Sequence, residues 1–263
     1  MLLAINANNT NVKFSVYDGA RSVGAKSLGD WRIKTEAGRT ADQYVVWLNQ
    51  LMTMKGLSLK SIDAAIIATV VPQSLFHLNM LCESHLGTKP LVVGDPSVKL
   101  GIEVKMDIPM STVGADRLAN AVGGHMTYDG KPLIVVDFGT ATTFDVVDQE
   151  GNYIGGAIAP GIVLSVEILH SATAMLPRIV VERPARVIGK STTEAMQSGI
   201  FWGYVGLVEG MVRRISDEFG GPLDVVATGG LAPLFHGQKP VITHLDPDIT
   251  MRGLVEIYRR NSQ

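Results

Sequence analysis

The chain has a single cysteine, Cys82, among its 263 residues, so no internal disulfide can form. That cysteine reads as a small buried apolar residue, and a reducing cytoplasm fits. There is no excess of basic charge: 23 Lys and Arg face 25 Asp and Glu, a net charge of −2. The electrostatic footprint of a nucleic-acid binder is therefore missing. No apolar run approaches the ~20 uncharged residues of a membrane span. The longest candidate, residues 155–166, is interrupted by Pro160 and Gly161. Residues 1–11 lack the charged region and longer apolar core of a secretory signal. The expectation is a soluble cytoplasmic protein with neither nucleic-acid nor membrane partners. No Walker pattern follows the first predicted strand, and no G-x-G-x-x-G follows any strand, which counts against a P-loop fold and a dinucleotide dehydrogenase. The six histidines, His77, His85, His125, His170, His236 and His244, show no ligand spacing.

What is present is a repeated order of elements. Residues 2–5 read as a buried strand, followed by the polar turn Asn6-Ala7-Asn8-Asn9-Thr10. Residues 12–17 alternate as a half-buried strand does, which turns Lys13 toward solvent. Asp18-Gly19 signals a hairpin, and residues 21–28 supply a third strand. A helix is expected over 40–54, a buried strand over 64–71, a helix over 72–86 and a short strand over 90–93. A second block begins at Lys131, with a buried strand over 133–136 and the polar turn Asp137-Phe138-Gly139-Thr140. Strands over 142–147 and 153–158 follow, then helices over 162–171 and 191–219, the latter broken at Gly199 or Gly203. A strand over 223–227 ends at Thr228-Gly229-Gly230, and a helix covers 249–261. Asn6 and Asp137 stand 131 residues apart, and the same offset relates Asn8 to Gly139 and Asn9 to Thr140. Recurrence at half the chain length argues for a duplicated domain. The order of elements implies α/β lobes, each a sheet covered by helices. The boundary falls between 1–117 and 118–263, with the lobes joined through the helical stretch 118–128.

A small polar turn between two strands exposes backbone N–H groups and hydroxyls, a concavity that binds anions without a formal positive charge. Asp137 adds a carboxylate for a cation, Gly139 allows close backbone approach, and Thr140, Thr142 and Thr143 add hydroxyls. A pair of ordinary hairpin corners is the competing reading, since Asn, Asp, Gly and Thr are common there too.

The residues also resemble a known family. The N-terminal loop Asn6–Asn11, Gly114-Ala115-Asp116-Arg117 with Leu118-Ala119-Asn120-Ala121, the run from Val136 through Asp145, Gly155 through Gly161, Gly189-Lys190-Ser191-Thr192, Ala227-Thr228-Gly229-Gly230 and Leu245-Asp246-Pro247-Asp248 together resemble type III pantothenate kinases. These are bacterial enzymes of the superfamily that holds actin, sugar kinases and heat-shock chaperone ATPases. The resemblance implies two duplicated ribonuclease H-like (actin-like ATPase) domains with a cleft between them. It implies transfer of the ATP γ-phosphoryl to the 4′-hydroxyl of pantothenate, the first step of coenzyme A synthesis. It makes Asp116 the general base, and gives pantothenate contacts to Gly114, Ala115, Asp116, Arg117 and Thr192. ATP contacts fall to Asn6, Ala7, Asn8, Asn9, Thr10, Asn11, Val12, Lys13, Thr140, Gly229 and Gly230, the last two lacking side chains that would block the base. Asp137 is implied to hold a monovalent cation, K⁺ or NH₄⁺. Mg²⁺ is expected with ATP, and a homodimer with a pantothenate pocket completed across its interface.

The first loop departs from the family's usual Asp-x-Gly-Asn-Thr. Asn6 offers oxygen without charge, so magnesium is expected to be held less strongly. Asn8 replaces glycine, Ser15 replaces another, and Lys13 adds a positive charge. A catalytically weak or inactive relative acting as a ligand-binding regulator is the competing reading, and an actin-like ATPase with another small acceptor is a third.

Overall fold

A computed structural model describes residues 1–20, 24–128, 130–173, 175–235 and 241–262. The chain divides into two compact units. The first comprises Met1–Thr127, Gly151–Tyr153 and Asp248–Gln263; the second comprises Tyr128–Glu150 and Ile154–Pro247.

In the first unit the apolar run LLAINA forms β1 (Leu2–Ala7), buried along its whole length. It pairs antiparallel with β2 (Asn11–Asp18), which pairs antiparallel with β3 (Lys26–Lys34). On its other side β1 runs parallel to β4 (Ala64–Thr69), and β4 to β5 (Leu91–Val92). The sheet order is therefore β3-β2-β1-β4-β5. One face is covered by α1 (Ala41–Met54) and α2 (Pro72–Met80). Their Tyr44, Leu48, Met52 and Leu78 pack on Leu3, Ile5, Phe14 and Ile67, and Phe14 meets Tyr44 and Trp47 with ring centroids 5.6 and 5.4 Å apart. α1 begins where the sequence demands. Thr40 accepts from Gln43 N while the Gln43 side chain accepts from Thr40 N, a reciprocal cap worth about 1 kcal/mol.

The opposite face is covered by α3 (Ala115–Thr127) and α7 (Ile249–Asn261). These helices touch backbone to backbone: a Cβ on Gly253 would lie 1.9 Å from Ala119 O, and one on Gly123 2.2 Å from Ile249 O. Thr250 Oγ1 donates to Asn120 Oδ1 at 2.6 Å in the buried seam. Because both faces of the sheet are covered, β2 is buried from Val12 to Tyr17. The alternation expected to expose Lys13 fails, since the face it points to lies under α7. The third strand also lies later than residues 21–28: it spans Lys26–Lys34, where Trp31 and Ile33 pack against the core, and residues 21–23 lie outside those described. The boundary placed after Arg117 falls inside α3. That helix and α7 both belong with the first unit, locked by their glycine crossing.

The second unit repeats the plan. β6 (Leu133–Phe138) pairs antiparallel with β7 (Ala141–Val147) and parallel with β9 (Asp224–Thr228). β8 (Tyr153–Pro160) flanks β7, and β10 (His244–Leu245) runs parallel to β9. The order β8-β7-β6-β9-β10 is that of the first sheet, element for element. Only the start of β8 departs: Tyr153 bridges to Val104, drawing Gly151–Tyr153 into the first unit. Phe138, Phe201 and Phe235 stack at 4.9 and 5.5 Å at the centre of the core. α4 (Ile162–Ser171), α5 (Thr192–Phe219) and the short α6 (Ala232–Phe235) supply the helices. α5 runs 28 residues without the break expected at Gly199 or Gly203. Each glycine costs a helix about 1 kcal/mol, and burial of Met196, Phe201, Tyr204 and Val208 on its inner face outweighs that. It ends at Gly220, whose left-handed backbone (φ +85°) sends its N–H to Ser216 O at 3.0 Å.

Candidate active site

The duplication places one polar corner after the central strand of each sheet. In the first unit Asn6 lies near the end of β1, opposite Lys13 in the ladder. Beyond it, Asn8 N donates to Asn11 O at 3.0 Å, and Thr35 holds the turn from outside, its N–H to Thr10 O at 2.9 Å and its Oγ1 to Asn8 O at 2.6 Å. Asn9, Thr10 and Asn11 are exposed while Ala7 and Val12 are buried anchors. Asn6 Oδ1 and Asn8 Oδ1 are buried without a hydrogen-bond partner. Two buried orphaned acceptors require a donor or a cation. They fit a hydrated magnesium ion, with amide oxygen where a carboxylate would add charge.

Lys13 is not at the surface. Its Nζ lies 2.7 Å from Asp248 Oδ1 at the start of α7 and 3.8 Å from Asp30 Oδ1. Ser15, fully buried, donates to Asp30 Oδ1 at 2.5 Å. The positive charge that Lys13 adds beside the first loop is thus paired with two carboxylates, and Ser15 joins the same seam.

Gly114, Ala115, Asp116 and Arg117 form the entry to α3, with Leu118 N donating to Gly114 O at 3.1 Å. Asp116 Oδ1 accepts from Arg117 N at 2.8 Å and lies 2.7 Å from where a Cβ on residue 114 would sit, so a side chain there would force this carboxylate to shift. Part of Asp116 reaches the surface, yet its carboxyl is set deep among protein atoms. Burial raises its pKa above the ordinary carboxylate value, against the opposing pull of the Arg117 N–H and guanidinium. The Arg117 guanidinium lies over the Tyr153 ring, 5.7 Å from its centroid.

In the second unit Asp137 and Phe138 end β6, and the exposed Gly139 and Thr140 turn the corner, with Gly139 N donating to Ala141 O at 3.1 Å. Asp137 pairs in register with Thr228 of β9 and Thr143 of β7. Gly229 follows, with φ +91°; its Cβ would lie 2.5 Å from Asp137 Oδ1 and 2.7 Å from the Phe138 backbone. The missing side chain at 229 therefore makes room for Asp137, and only Gly230, with nothing within 4 Å, leaves space open to a ligand. Gly161, ahead of α4, is equally constrained: its Cβ would lie 2.0 Å from Thr140 O. Thr192 is exposed at the first turn of α5, whose cap is Ser191 accepting from Glu194 N at 3.2 Å.

Within the first unit the structure brings Asn6–Lys13 and Gly114–Arg117 onto one α/β layer pair; within the second it gathers Asp137, Thr140 and Gly229 at the end of the β6–β9 pair. Sequence reasoning passed over Tyr204 and Thr35, and it quoted Gly161 and Asp248 within motifs without giving either a role. Tyr204 carries no sequence signal, since it reads as one more core aromatic on α5. Among the described residues no cluster of three His, Cys, Asp or Glu side chains suits a metal ion. His125 packs against Gly151, His85 pairs with Asp42 at 3.0 Å, and His170 Nδ1 lies 2.7 Å from Leu176 O; His236 lies outside the described residues. Among those residues no helix is long and apolar enough to cross a membrane.

Two copies of one five-stranded order, each with a polar corner after its central strand, define an α/β fold of the actin-like ATPase and sugar-kinase class. A solved structure of that fold, the activator of 2-hydroxyisocaproyl-CoA dehydratase from Clostridium difficile with bound ADPNP, superposes with a TM-score of 0.57 at 10% identity, over 99% of this chain and 94% of that one. The family model described as type III pantothenate kinase matches residues 2–214. Type III pantothenate kinases of Rhodospirillum rubrum and Paramagnetospirillum magneticum are 60% and 58% identical to this chain, covering 99% and 100% of it and 99% and 98% of their own lengths. The chain belongs to the type III pantothenate kinase family.

Proposed function

We propose that this chain transfers the γ-phosphoryl group of ATP to the 4′-hydroxyl of pantothenate, giving 4′-phosphopantothenate and ADP, with Asp116 as general base. Family membership over the whole length carries the reaction class, and the environment of Asp116 carries the assignment of the base. Phosphoryl transfer asks a protein chiefly to align the nucleophile, accept its proton and neutralise charge. A carboxylate whose burial makes it more basic than usual accepts that proton more readily near neutral pH. The pantothenate oxygen bonds to the γ-phosphorus as the bridging oxygen leaves with ADP, and the hydroxyl proton passes to a carboxylate oxygen of Asp116.

Gly114, Ala115, Arg117 and Thr192 bind pantothenate in this reading, Arg117 providing positive charge beside the base. The loop from Asn6 to Lys13 binds ATP through its backbone and amides, as do Thr140, Gly229 and Gly230. Asp137, seated against Gly229, holds K⁺ or NH₄⁺. Magnesium, when bound, neutralises phosphate charge; Asn6 Oδ1 and Asn8 Oδ1 are the buried acceptors that fit it or its waters.

We assign a homodimer, supported by the exposed apolar face of α4: Val163, Leu164, Ile168 and Leu169 keep 47, 39, 52 and 37% of their surface. Gly199, Gly203 and Gly206 on α5, with nothing within 4 Å of their missing Cβ atoms, permit close approach of a second copy. The buried Cys82, its thiol pKa pushed up to about 12 by burial, fits a cytoplasmic enzyme.

A coupled assay of pantothenate-dependent ADP release, comparing wild type with Asp116→Ala, tests the reaction. Loss of about 10²–10⁴-fold in rate is expected for removal of a general base; equal rates would overturn the assignment. The neutral Asn6 favours one other reading, a weak or inactive relative that acts as a ligand-binding regulator. It requires no turnover in that assay together with pantothenate binding to the wild type in a calorimetric titration.

A further inference from the structure

Tyr204 sits on α5 with 5% of its surface exposed, among Phe201 and Phe235, and nothing in the reaction as described uses it. Its hydroxyl donates to Pro160 O and lies 2.6 Å from Thr142 Oγ1. A phenol has one proton and a carbonyl can only accept. The Tyr204 proton therefore goes to Pro160, and Thr142 must donate into the phenol oxygen. The result is a one-way chain from Thr142 through Tyr204 to Pro160, buried at Thr142, which is 1% exposed.

The ends of that chain bracket the second corner. Thr142 lies two residues beyond Thr140, at the start of β7. Pro160 ends β8 and immediately precedes Gly161, the residue whose missing Cβ lets Thr140 O pack into its place. One hydroxyl thus holds both the strand leaving the corner and the segment against which the corner rests. We propose that Tyr204 is a positioning residue for the Asp137–Thr140 corner, setting its affinity for nucleotide and monovalent cation through Thr142 and Pro160. The inference rests on reading that corner as an ATP and cation site.

Tyr204→Phe removes the hydroxyl and keeps the ring. The expected result is a rise of about fivefold or more in KM for ATP and in half-activating K⁺, the effect of one lost buried hydrogen bond, with KM for pantothenate changed less than twofold. Thr142→Val should reproduce it, the double variant should be no worse than either single one, and Thr142→Ser should restore wild-type behaviour. A purely structural hydroxyl would lower kcat or thermal stability and leave the ATP and K⁺ dependences in place; that outcome overturns the proposal, as does additivity of the two variants. Calorimetric titration with ADP, with and without K⁺, reads the corner independently of any acceptor. If pantothenate-dependent turnover is missing but ADP affinity still drops in Tyr204→Phe, the reaction fails and the positioning role stands. Unchanged ADP affinity sinks the positioning role by itself.

Discussion

Replacing Gly253 by alanine should damage catalysis from a residue that belongs to no ligand site. The added Cβ would meet Ala119 O at 1.9 Å and Gly123 N at 3.1 Å, both backbone atoms of α3 that no rotamer can move aside. Carbon and carbonyl oxygen come to rest at about 3.3 Å or more, so α3 and α7 must separate by roughly 1.4 Å. Overpacking of this kind costs about 1–3 kcal/mol or more, and alanine's better helix propensity returns about 1 kcal/mol. With the clash on backbone atoms placing the cost at the upper end of that range, a net loss of up to about 2 kcal/mol lowers Tm by up to about 4–8 °C in a protein of this size. The first turn of α3 carries Asp116, and a displacement of about 1 Å at a reacting group can cost roughly 10²-fold in rate. Thermal unfolding followed by circular dichroism, with kcat/KM measured well below Tm, reads both effects. A Tm within 1 °C of wild type together with unchanged kcat/KM would refute the reasoning, because the two helices would then have room for the added methyl.

Asp116→Asn should abolish turnover while leaving Tm equal to or above wild type at neutral pH. The folded-state pKa is raised, so ionising this carboxyl costs stability; the deficit is absent below the unfolded pKa, near 4, and complete once pH passes the folded value. The Tm difference between variant and wild type should therefore grow from pH 4 to pH 8 and is checked by calorimetry; a difference that shrinks with rising pH would contradict the burial argument. In the active enzyme the same group predicts a rate that falls as pH drops through its raised pKa. Asn6→Asp should lower the magnesium concentration needed for half-maximal activity and tighten Mn²⁺ binding measured by electron paramagnetic resonance with ADP present; an unchanged requirement would place the ion elsewhere. Lys13→Met should cost about 1 kcal/mol, because the Asp248 it abandons is half exposed and regains water. Urea titration of that variant should show a smaller salt dependence than wild type.

Much of this architecture is legible in the amino-acid sequence. The runs over Leu2–Ala7 and Leu133–Phe138 are strands because they are apolar and short, and the cap at Thr40 starts α1 through a pattern visible in four letters. The shared offset of 131 residues announced the duplication that the two sheet orders display. The rest depended on partners distant in the chain. Lys13 alternates as an exposed residue does, and only the helix 235 positions later covers it. The pattern of α7 declares an apolar face but not which sheet receives it, so the boundary between units was drawn through α3. Glycines in α5 looked like a break because propensity is local, while the burial that overrides it is not. At Gly229 the residue type was noticed, but its close neighbour, the Asp137 carboxylate, was not, because no local pattern encodes an approach across parallel strands.

The seating of α7 on the first sheet also orders events during synthesis. Residues up to Thr127 leave the ribosome with the part of the β1–β4 face that α7 covers, and the side of α3 that meets α7, still bare. The segment that covers them is made only after the entire second unit, a delay of roughly 10 s at ordinary elongation rates. Through that interval the Asp116 helix has no partner at Gly123. The second unit, whose sheet and helices all fall within Tyr128–Pro247, is free to fold first. A polypeptide broken off before Ile249 carries every residue assigned to chemistry yet lacks the helix that packs against the one bearing Asp116.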